Sequence, residues 1–157
     1  MEKAIVFAIG SDHAGFELKE KLKGIIKSYG YDYQDFGTYS DQSVDYPDFA
    51  IPLCRAIVKD QLKYGILICG TGNGMAMAAN KFRGIRAALS WKPEIAALAR
   101  QHNDANVLCL GAENDQSQLK EIVKAFITCQ FEGGRHQERV EMLKKMDNTR
   151  NLKARNC

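Results

Sequence analysis

Short apolar runs alternate with amphipathic stretches along almost the whole chain. The apolar runs have the length of buried β-strands and lie at 4–9, 31–36, 64–69, 85–89 and 106–110. Between and after them, apolar residues recur at helical spacing over 16–29, 47–59, 74–82, 93–101 and 116–129, and a last helix is predicted from about residue 135 into a basic tail. The pattern predicts five strands and six helices in regular alternation.

Regular strand–helix alternation predicts a parallel sheet with helices on both faces, joined by right-handed crossovers. The chain has 157 residues and shows no internal repeat or linker, so we expect one α/β/α domain. Ligands of such sheets bind at the carboxyl ends of the strands. Two polar turns fall there, Gly10 to His13 after the first strand and Cys69 to Gly74 after the third.

The turn after the third strand carries the clearest chemical signal. Cys69 ends an apolar run and is followed by glycines at 70, 72 and 74, before a predicted helix. A glycine-rich turn leading into a helix directs backbone N–H groups at an anion, and a thiolate is favoured beside it. The alternatives are a turn that is glycine-rich only for steric reasons and a buried, inert thiol.

Two nucleotide-binding motifs do not fit this turn. Position 75 is Met, which breaks Gly-x-Gly-x-x-Gly, and no Gly-Lys-Ser/Thr follows. Dinucleotide binding is therefore a weak alternative.

Composition narrows the class of protein. The formal net charge is only +3, which does not indicate nucleic-acid binding but suits an acidic small molecule. No apolar stretch reaches membrane-spanning length and no signal peptide precedes the first strand, so we expect a cytoplasmic protein without membrane contact. Five widely spaced cysteines argue against a disulfide framework and a structural zinc site.

Histidines and arginines supply further candidates. The three histidines, at 13, 102 and 136, lie in polar strings, and no acidic cluster at ligand spacing accompanies them, so we expect no metal site. Arg135 and Arg139 are four residues apart and share one face of the last helix. They could form a phosphate clamp or simply a solvated basic face.

Six strings resemble the type B ribose-5-phosphate isomerases and the wider family that includes galactose-6-phosphate isomerase subunits. They are GSDHAGF (10–16), DYP (45–47), GILICGTGNG (65–74), ANKFRGIRA (79–87), RQHNDANVL (100–108) and EGGRHQERV (132–140). They span nearly the whole chain in the family's order. The resemblance implies a single Rossmann-like domain over 1–157, with a C-terminal helix at about 133–150 and a basic tail at 151–157.

The resemblance also implies a function. It indicates a metal-independent, cofactor-free aldose–ketose isomerase of the pentose phosphate pathway that interconverts ribose 5-phosphate and ribulose 5-phosphate. Cys69 matches the family's base, which moves a proton between C2 and C1 through a cis-enediolate. His102 matches the histidine that donates a proton during ring opening. Members of the family form homodimers, often dimers of dimers, with active sites at the subunit interface, and the resemblance implies the same for this chain.

The remaining site residues follow from the same resemblance. Those expected to line the sugar and phosphate site are Asp12, His13, Tyr46, Thr71 and Asn103, with Thr71 also counted among the catalytic residues. The expected anion hole runs over Gly70, Thr71, Gly72, Asn73 and Gly74, and the expected phosphate ligands are Arg135 and Arg139. One position departs from the family, which commonly has a phosphate-binding arginine where this chain has Glu113.

Several alternatives stay open. The substrate could be allose 6-phosphate, galactose 6-phosphate or a tetrose phosphate, because these sugars undergo the same reaction. A cysteine-nucleophile hydrolase would form a covalent intermediate on Cys69. A phosphate-ligand binding module would leave Cys69 inert.

Overall fold

The computed structural model describes residues 5–149, except for the side chain of residue 5. Five strands alternate with the first five helices, and a sixth helix follows. The strands are β1 (Ile5–Ser11), β2 (Asp32–Asp35), β3 (Tyr64–Cys69), β4 (Ala87–Leu89) and β5 (Val107–Gly111). The helices are α1 (Phe16–Ser28), α2 (Pro47–Val58), α3 (Asn73–Ala79), α4 (Pro93–Asn103), α5 (Leu119–Thr128) and α6 (Arg135–Thr149).

All strand pairs are parallel, in the order β2-β1-β3-β5-β4. The chain first extends the sheet from β1 to β2 and then returns to add β3 on the other side of β1. The order therefore reverses between β1 and β3, and such a switch point opens a crevice at the carboxyl ends of the strands. Ser11 pairs with Ile68 and Cys69 pairs with Gly111, so three strand ends meet there.

Two hydrophobic clusters lie on opposite faces of the sheet, as the three-layer prediction requires. One cluster takes side chains from α1, α4 and α5, including Leu22 and Phe126. The other takes side chains from α2 and α3, including Leu53 and Met75. The predicted α/β/α domain with a five-stranded parallel sheet is confirmed.

Several element bounds differ from the prediction. α3 ends at Ala79 because the Asn80 side chain bonds both the N–H and the C=O of Ala87, at 2.9 Å each, and so joins the end of α3 to the start of β4. α4 continues to Asn103 and ends where Asp104 adopts a left-handed backbone conformation. β4 has only three residues and α5 starts at Leu119, later than predicted. The predicted basic tail, 151–157, lies outside the described residues.

Within the described residues, none of the helices is both long enough and apolar enough to span a bilayer.

Candidate active site

Cys69 is the last residue of β3 and is almost completely buried. The glycine turn follows it directly, and Gly72 has a φ of +82°, which favours glycine. A side chain at position 72 would also collide with Leu89 and the backbone of Leu110. The Thr71 hydroxyl accepts a hydrogen bond from the Asn73 N–H at 3.3 Å. The turn is therefore closely packed against Leu89 and Leu110 at Gly72, and it exposes Thr71 and Asn73.

The loop after β5 is fastened to this turn by two backbone hydrogen bonds. The Ala112 N–H donates to the Cys69 carbonyl and the Glu113 N–H donates to the Gly70 carbonyl, both at 2.9 Å. The Glu113 carboxylate lies over Gly70, since a Cβ built there would be 3.2 Å from Oε1. Glu113, which the resemblance marks as an expected departure from the family, is therefore at the rim of the predicted anion hole.

Asp12 and His13 follow β1 and lie beside β3, as expected for a turn at the carboxyl end of a neighbouring parallel strand. Asp12 is buried, its N–H donates to the Ile68 carbonyl at 3.2 Å, and its Oδ1 accepts from the Gly15 N–H at 3.1 Å. Nδ1 of His13 lies 3.1 Å from the Val44 N–H, which it can accept from when the ring proton is on Nε2. The Asp12 carboxylate is thus held at the crevice by the first turn leading into α1.

Tyr46 reaches the same turn from the start of α2. Its ring lies against Gly74, where a Cβ would come within 2.6 Å of the ring. Beside the turn, a cleft of about 430 Å³ is lined by Thr71, Asn73, Trp91 and Lys92, among others. The structure therefore brings together Asp12, His13, Tyr46 and 69–74, which we call the thiol site.

The other predicted residues lie at the opposite edge of the sheet, where the strands have their amino ends. α4 starts after the carboxyl end of β4 and runs back, so His102 and Asn103 reach the amino end of β5. The Asn103 carbonyl accepts from Nε of Arg86, which directly precedes β4, at 3.2 Å. Since the length of the sheet separates the two edges, roughly 15 Å at about 3.3 Å per residue, one chain does not bring His102 to Cys69.

Arg135 and Arg139 lie in the first turns of α6, which packs against α4. Both are exposed, and neither forms an ion pair with another residue in the described part of the chain. They are on the same side of the molecule as His102. We call His102, Asn103, Arg135 and Arg139 the histidine site.

A cluster of three side chains at this edge was not predicted from the sequence. The His102 and His136 rings stack, with centroids 4.0 Å apart and planes 11° from parallel. Glu132 Oε2 lies 3.9 Å from Nε2 of His102 and 3.6 Å from Nε2 of His136. Burial lowers the pKa of His136, and the neighbouring His102 and Arg135 lower it further. The only signal in the sequence is Gly133-Gly134, which permits the sharp turn between Glu132 and His136.

Among the other described cysteines, Cys54 and Cys109 are buried. Burial raises the pKa of Cys54 to about 12 and also raises that of Cys109. Cys129 is half-buried at the end of α5. Of these thiols, only Cys69 lies beside a polar turn at the carboxyl ends of the strands.

The chain is similar to known proteins over most of its length. The family model described as Ribose/Galactose Isomerase matches residues 7–143. Ribose-5-phosphate isomerase B of Escherichia coli is 45% identical over 145 residues, which cover 92% of this chain and 97% of that protein. A probable ribose-5-phosphate isomerase B of Mycoplasma genitalium is 46% identical over 139 residues, covering 86% and 91%.

Solved structures share the fold over almost their full length. A ribose 5-phosphate isomerase from Thermotoga maritima has a TM-score of 0.86 and 46% identity, covering 90% of this chain and 98% of that one. Ribose-5-phosphate isomerase B from Mycoplasma genitalium with bound ribulose-5-phosphate has a TM-score of 0.88 and 41% identity, covering 94% and 99%. The strand-end cysteine, its glycine turn and these matches together show that the chain belongs to the ribose/galactose isomerase family.

Proposed function

We propose that this protein is an aldose–ketose isomerase that interconverts ribose 5-phosphate and ribulose 5-phosphate. The observation that carries the proposal is the position of Cys69, buried at the end of β3 and directly before the glycine turn that leads into α3. The relatives named as ribose-5-phosphate isomerases, one of them solved with ribulose-5-phosphate, support this substrate. The reaction would place the enzyme in the pentose phosphate pathway.

The chemistry requires a base and a site for an oxyanion. In the proposed step the Cys69 thiolate removes the C2 proton of the open-chain aldose, and the C2–H electron pair forms the C1–C2 double bond of a cis-enediolate. The thiol then returns a proton to C1, while the oxygen proton moves from O2 to O1. N–H groups of 70–74 and the Thr71 hydroxyl would stabilise the enediolate oxygens, because preorganised donors stabilise developing charge.

The histidine site supplies the remaining functions in this proposal. His102 donates a proton to the ring oxygen as the sugar opens, and Asn103 binds the sugar beside it. Arg135 and Arg139 bind the phosphate, a role suited to two exposed guanidinium groups one helical turn apart. Asp12, His13 and Tyr46 hold the sugar hydroxyls at the thiol site.

Because the two sites lie at opposite edges of one chain, we propose a homodimer in which each active site takes its thiol site from one chain and its histidine site from the other. Exposed apolar side chains on α3 and α6 (Met77, Met142, Leu143 and Met146) support contact with a second copy. Further association into a dimer of dimers is compatible with this arrangement.

We also propose a cytoplasmic location. The four cysteines in the described part of the chain are unpaired, as is usual in a reducing compartment.

The reaction is tested with purified protein on a panel of ribose, allose, galactose and tetrose phosphates, comparing kcat/KM. We expect the highest value for ribose 5-phosphate, and Cys69→Ala should lower kcat about 10³-fold, within the usual range for loss of a general base. Cys54→Ala, which removes a thiol buried on α2 and outside the glycine turn, is the matched control. Near wild-type turnover by Cys69→Ala, or a covalent acyl or phosphoryl adduct on Cys69, would contradict the mechanism.

A further inference from the structure

Three potential metal ligands converge at the edge of the sheet opposite Cys69. His102 is in the last turn of α4, Glu132 is in the loop before α6, and His136 is in the first turn of α6. One ligand atom from each lies within 4.8 Å of the others. We propose that His102, Glu132 and His136 form a binding site for a divalent transition-metal cation, with Zn²⁺ the best match, and that the bound cation inhibits the enzyme.

The loop is held in the required position by backbone contacts. The Glu132 N–H donates to the Gln101 carbonyl at 3.0 Å, which anchors the loop to the end of α4. Gly133 and Gly134 have φ of +68° and +55°, and the His136 N–H then donates to the Gly133 carbonyl at 3.0 Å. Two consecutive left-handed residues thus turn the chain so that Glu132 faces His136.

The separations of the Glu132 carboxylate oxygen from the two imidazole nitrogens are close to what zinc needs. Tetrahedral Zn²⁺ with bonds of about 2.0–2.1 Å has neighbouring ligand atoms about 3.3 Å apart. The observed separations from Glu132 Oε2 are 3.6 Å to His136 and 3.9 Å to His102. Two imidazoles and one carboxylate leave a fourth position for water, and nitrogen and oxygen ligands of this kind suit zinc.

Two features limit the affinity. The ring planes are only 11° from parallel, so lone pairs lying in the two planes do not converge on one point. One ring must therefore rotate about χ2 to share a metal, a torsion with a broad energy minimum. Arg135 and Arg139 also add positive charge nearby. We therefore expect a reversible site that responds to the zinc concentration, not a permanently loaded one.

Inhibition follows from the identity of one ligand and rests on the proposed function. A metal bound to Nε2 of His102 removes the nitrogen that would donate a proton during ring opening. The cation and the sugar phosphate then compete for the same side chain. Zinc should raise the apparent KM for ribose 5-phosphate and leave kcat at saturating substrate unchanged.

Metal binding is tested directly, in the Cys69→Ala background so that the active-site thiolate does not bind the ion. Chelator-treated protein is titrated with Zn²⁺ against a chromophoric competitor, and we expect one ion per chain. Glu132→Gln and His136→Asn should each weaken binding by at least about tenfold, because loss of even an outer-shell partner of a ligand costs about 10- to 100-fold. His13→Asn, which removes a histidine outside the cluster, should bind zinc like the parent.

Cobalt distinguishes this site from a thiolate site. Co²⁺ in the cluster should show the visible bands of nitrogen and oxygen coordination and no thiolate-to-cobalt charge-transfer band. Unchanged zinc affinity in both variants, or a thiolate band, would overturn the proposal. Glu132 is exposed, and thermal melts without zinc check that the variants fold like the parent.

The inhibition is tested separately, with Cys69 present. Glu132→Gln should need at least tenfold more Zn²⁺ than the wild type for half-inhibition at subsaturating ribose 5-phosphate. Equal sensitivity of the two proteins would overturn the inhibitory role. A wild type with no activity on any sugar phosphate would refute the proposed function and leave the binding result intact.

Discussion

At the residue scale, Glu113 is the residue expected from the sequence to depart from the family pattern, and it lies at the rim of the candidate site. Its carboxylate lies over Gly70, whose neighbouring N–H groups are proposed to hold the enediolate. Within the described residues its carboxylate has no cation within ion-pair distance. A negative charge there opposes the approach of an anionic substrate.

Neutralising this charge should improve substrate binding. We expect Glu113→Gln to lower KM for ribose 5-phosphate about fivefold, because one like-charge contact at a partly solvated site costs about 1 kcal/mol. Glu113→Arg should lower it further. The measurement is KM at low and high salt, because screening should reduce the difference between wild type and variant.

Glu121→Gln is the matched control, since that residue is in the first turn of α5 and away from the turn after β3. It should leave KM unchanged. An unchanged KM in both Glu113 variants would show that the substrate's charge does not approach this carboxylate.

At the element scale, an ion-pair group joins α1 to β2. Lys19 is completely buried, and its Nζ lies 2.6 Å from Asp35 Oδ2 and 3.1 Å from Glu20 Oε1. Lys23 lies 2.8 Å from the same Asp35 oxygen. Burial favours the neutral form of Asp35, but hydrogen bonds from the two lysines outweigh it and lower the pKa of Asp35.

This pKa shift predicts how stability depends on pH. A lowered pKa in the folded state means that the ion pairs stabilise the fold above about pH 4, the unfolded value, and that this stabilisation is lost as pH falls through the folded value. Asp35→Asn should lower the free energy of unfolding by about 2–3 kcal/mol at neutral pH, somewhat less than the usual cost of breaking a buried pair because Glu20 still contacts Lys19.

Urea denaturation at pH 7 and at about pH 3 measures this, with the difference between wild type and variant expected to shrink in acid. Asp32→Asn, on the same strand, should change stability by less than about 0.5 kcal/mol. A difference that persists in acid would show that the loss comes from packing and not from charge.

Most elements could be predicted from the sequence because each buries one apolar face. The predicted bounds of β4 and of the end of α4 were less accurate, because polar contacts set where these elements begin and end. Asn80 fixes the start of β4, and the polar string around His102 continues α4 to Asn103. The cluster of His102, Glu132 and His136 could not be predicted from spacing, since it depends on the backbone of two glycines.

At the scale of the whole molecule, the turns that follow parallel strands were expected at one edge of the sheet, and Asp12, His13 and Cys69 do lie there. The end of α4 lies at the other edge, because a crossover helix runs antiparallel to the strands that it joins. Sequence alone could not fix the order of the strands, which depends on long-range packing. The order decides that the carboxyl ends of β1 and β3 lie side by side, where they supply Asp12, His13 and Cys69.

The division of the candidate site between two edges makes a test of assembly possible. Cys69→Ala damages only the thiol site, and His102→Asn damages only the histidine site. If each active site combines one of each from two chains, a mixed dimer of these variants contains one intact site and one doubly damaged site. Random reassortment of equal amounts gives half mixed dimers, and therefore about a quarter of the wild-type activity.

The experiment mixes the two inactive proteins under conditions in which native mass spectrometry shows that subunits exchange, and follows activity with time. Cys69→Ala mixed with Asp12→Asn is the control, because both changes lie in the thiol site and activity should not exceed the mean of the separate proteins. Exchange without recovery in the first mixture would show that each chain completes its own site. Recovery that follows the rate of exchange would establish that the two edges of the sheet act together only across a subunit interface.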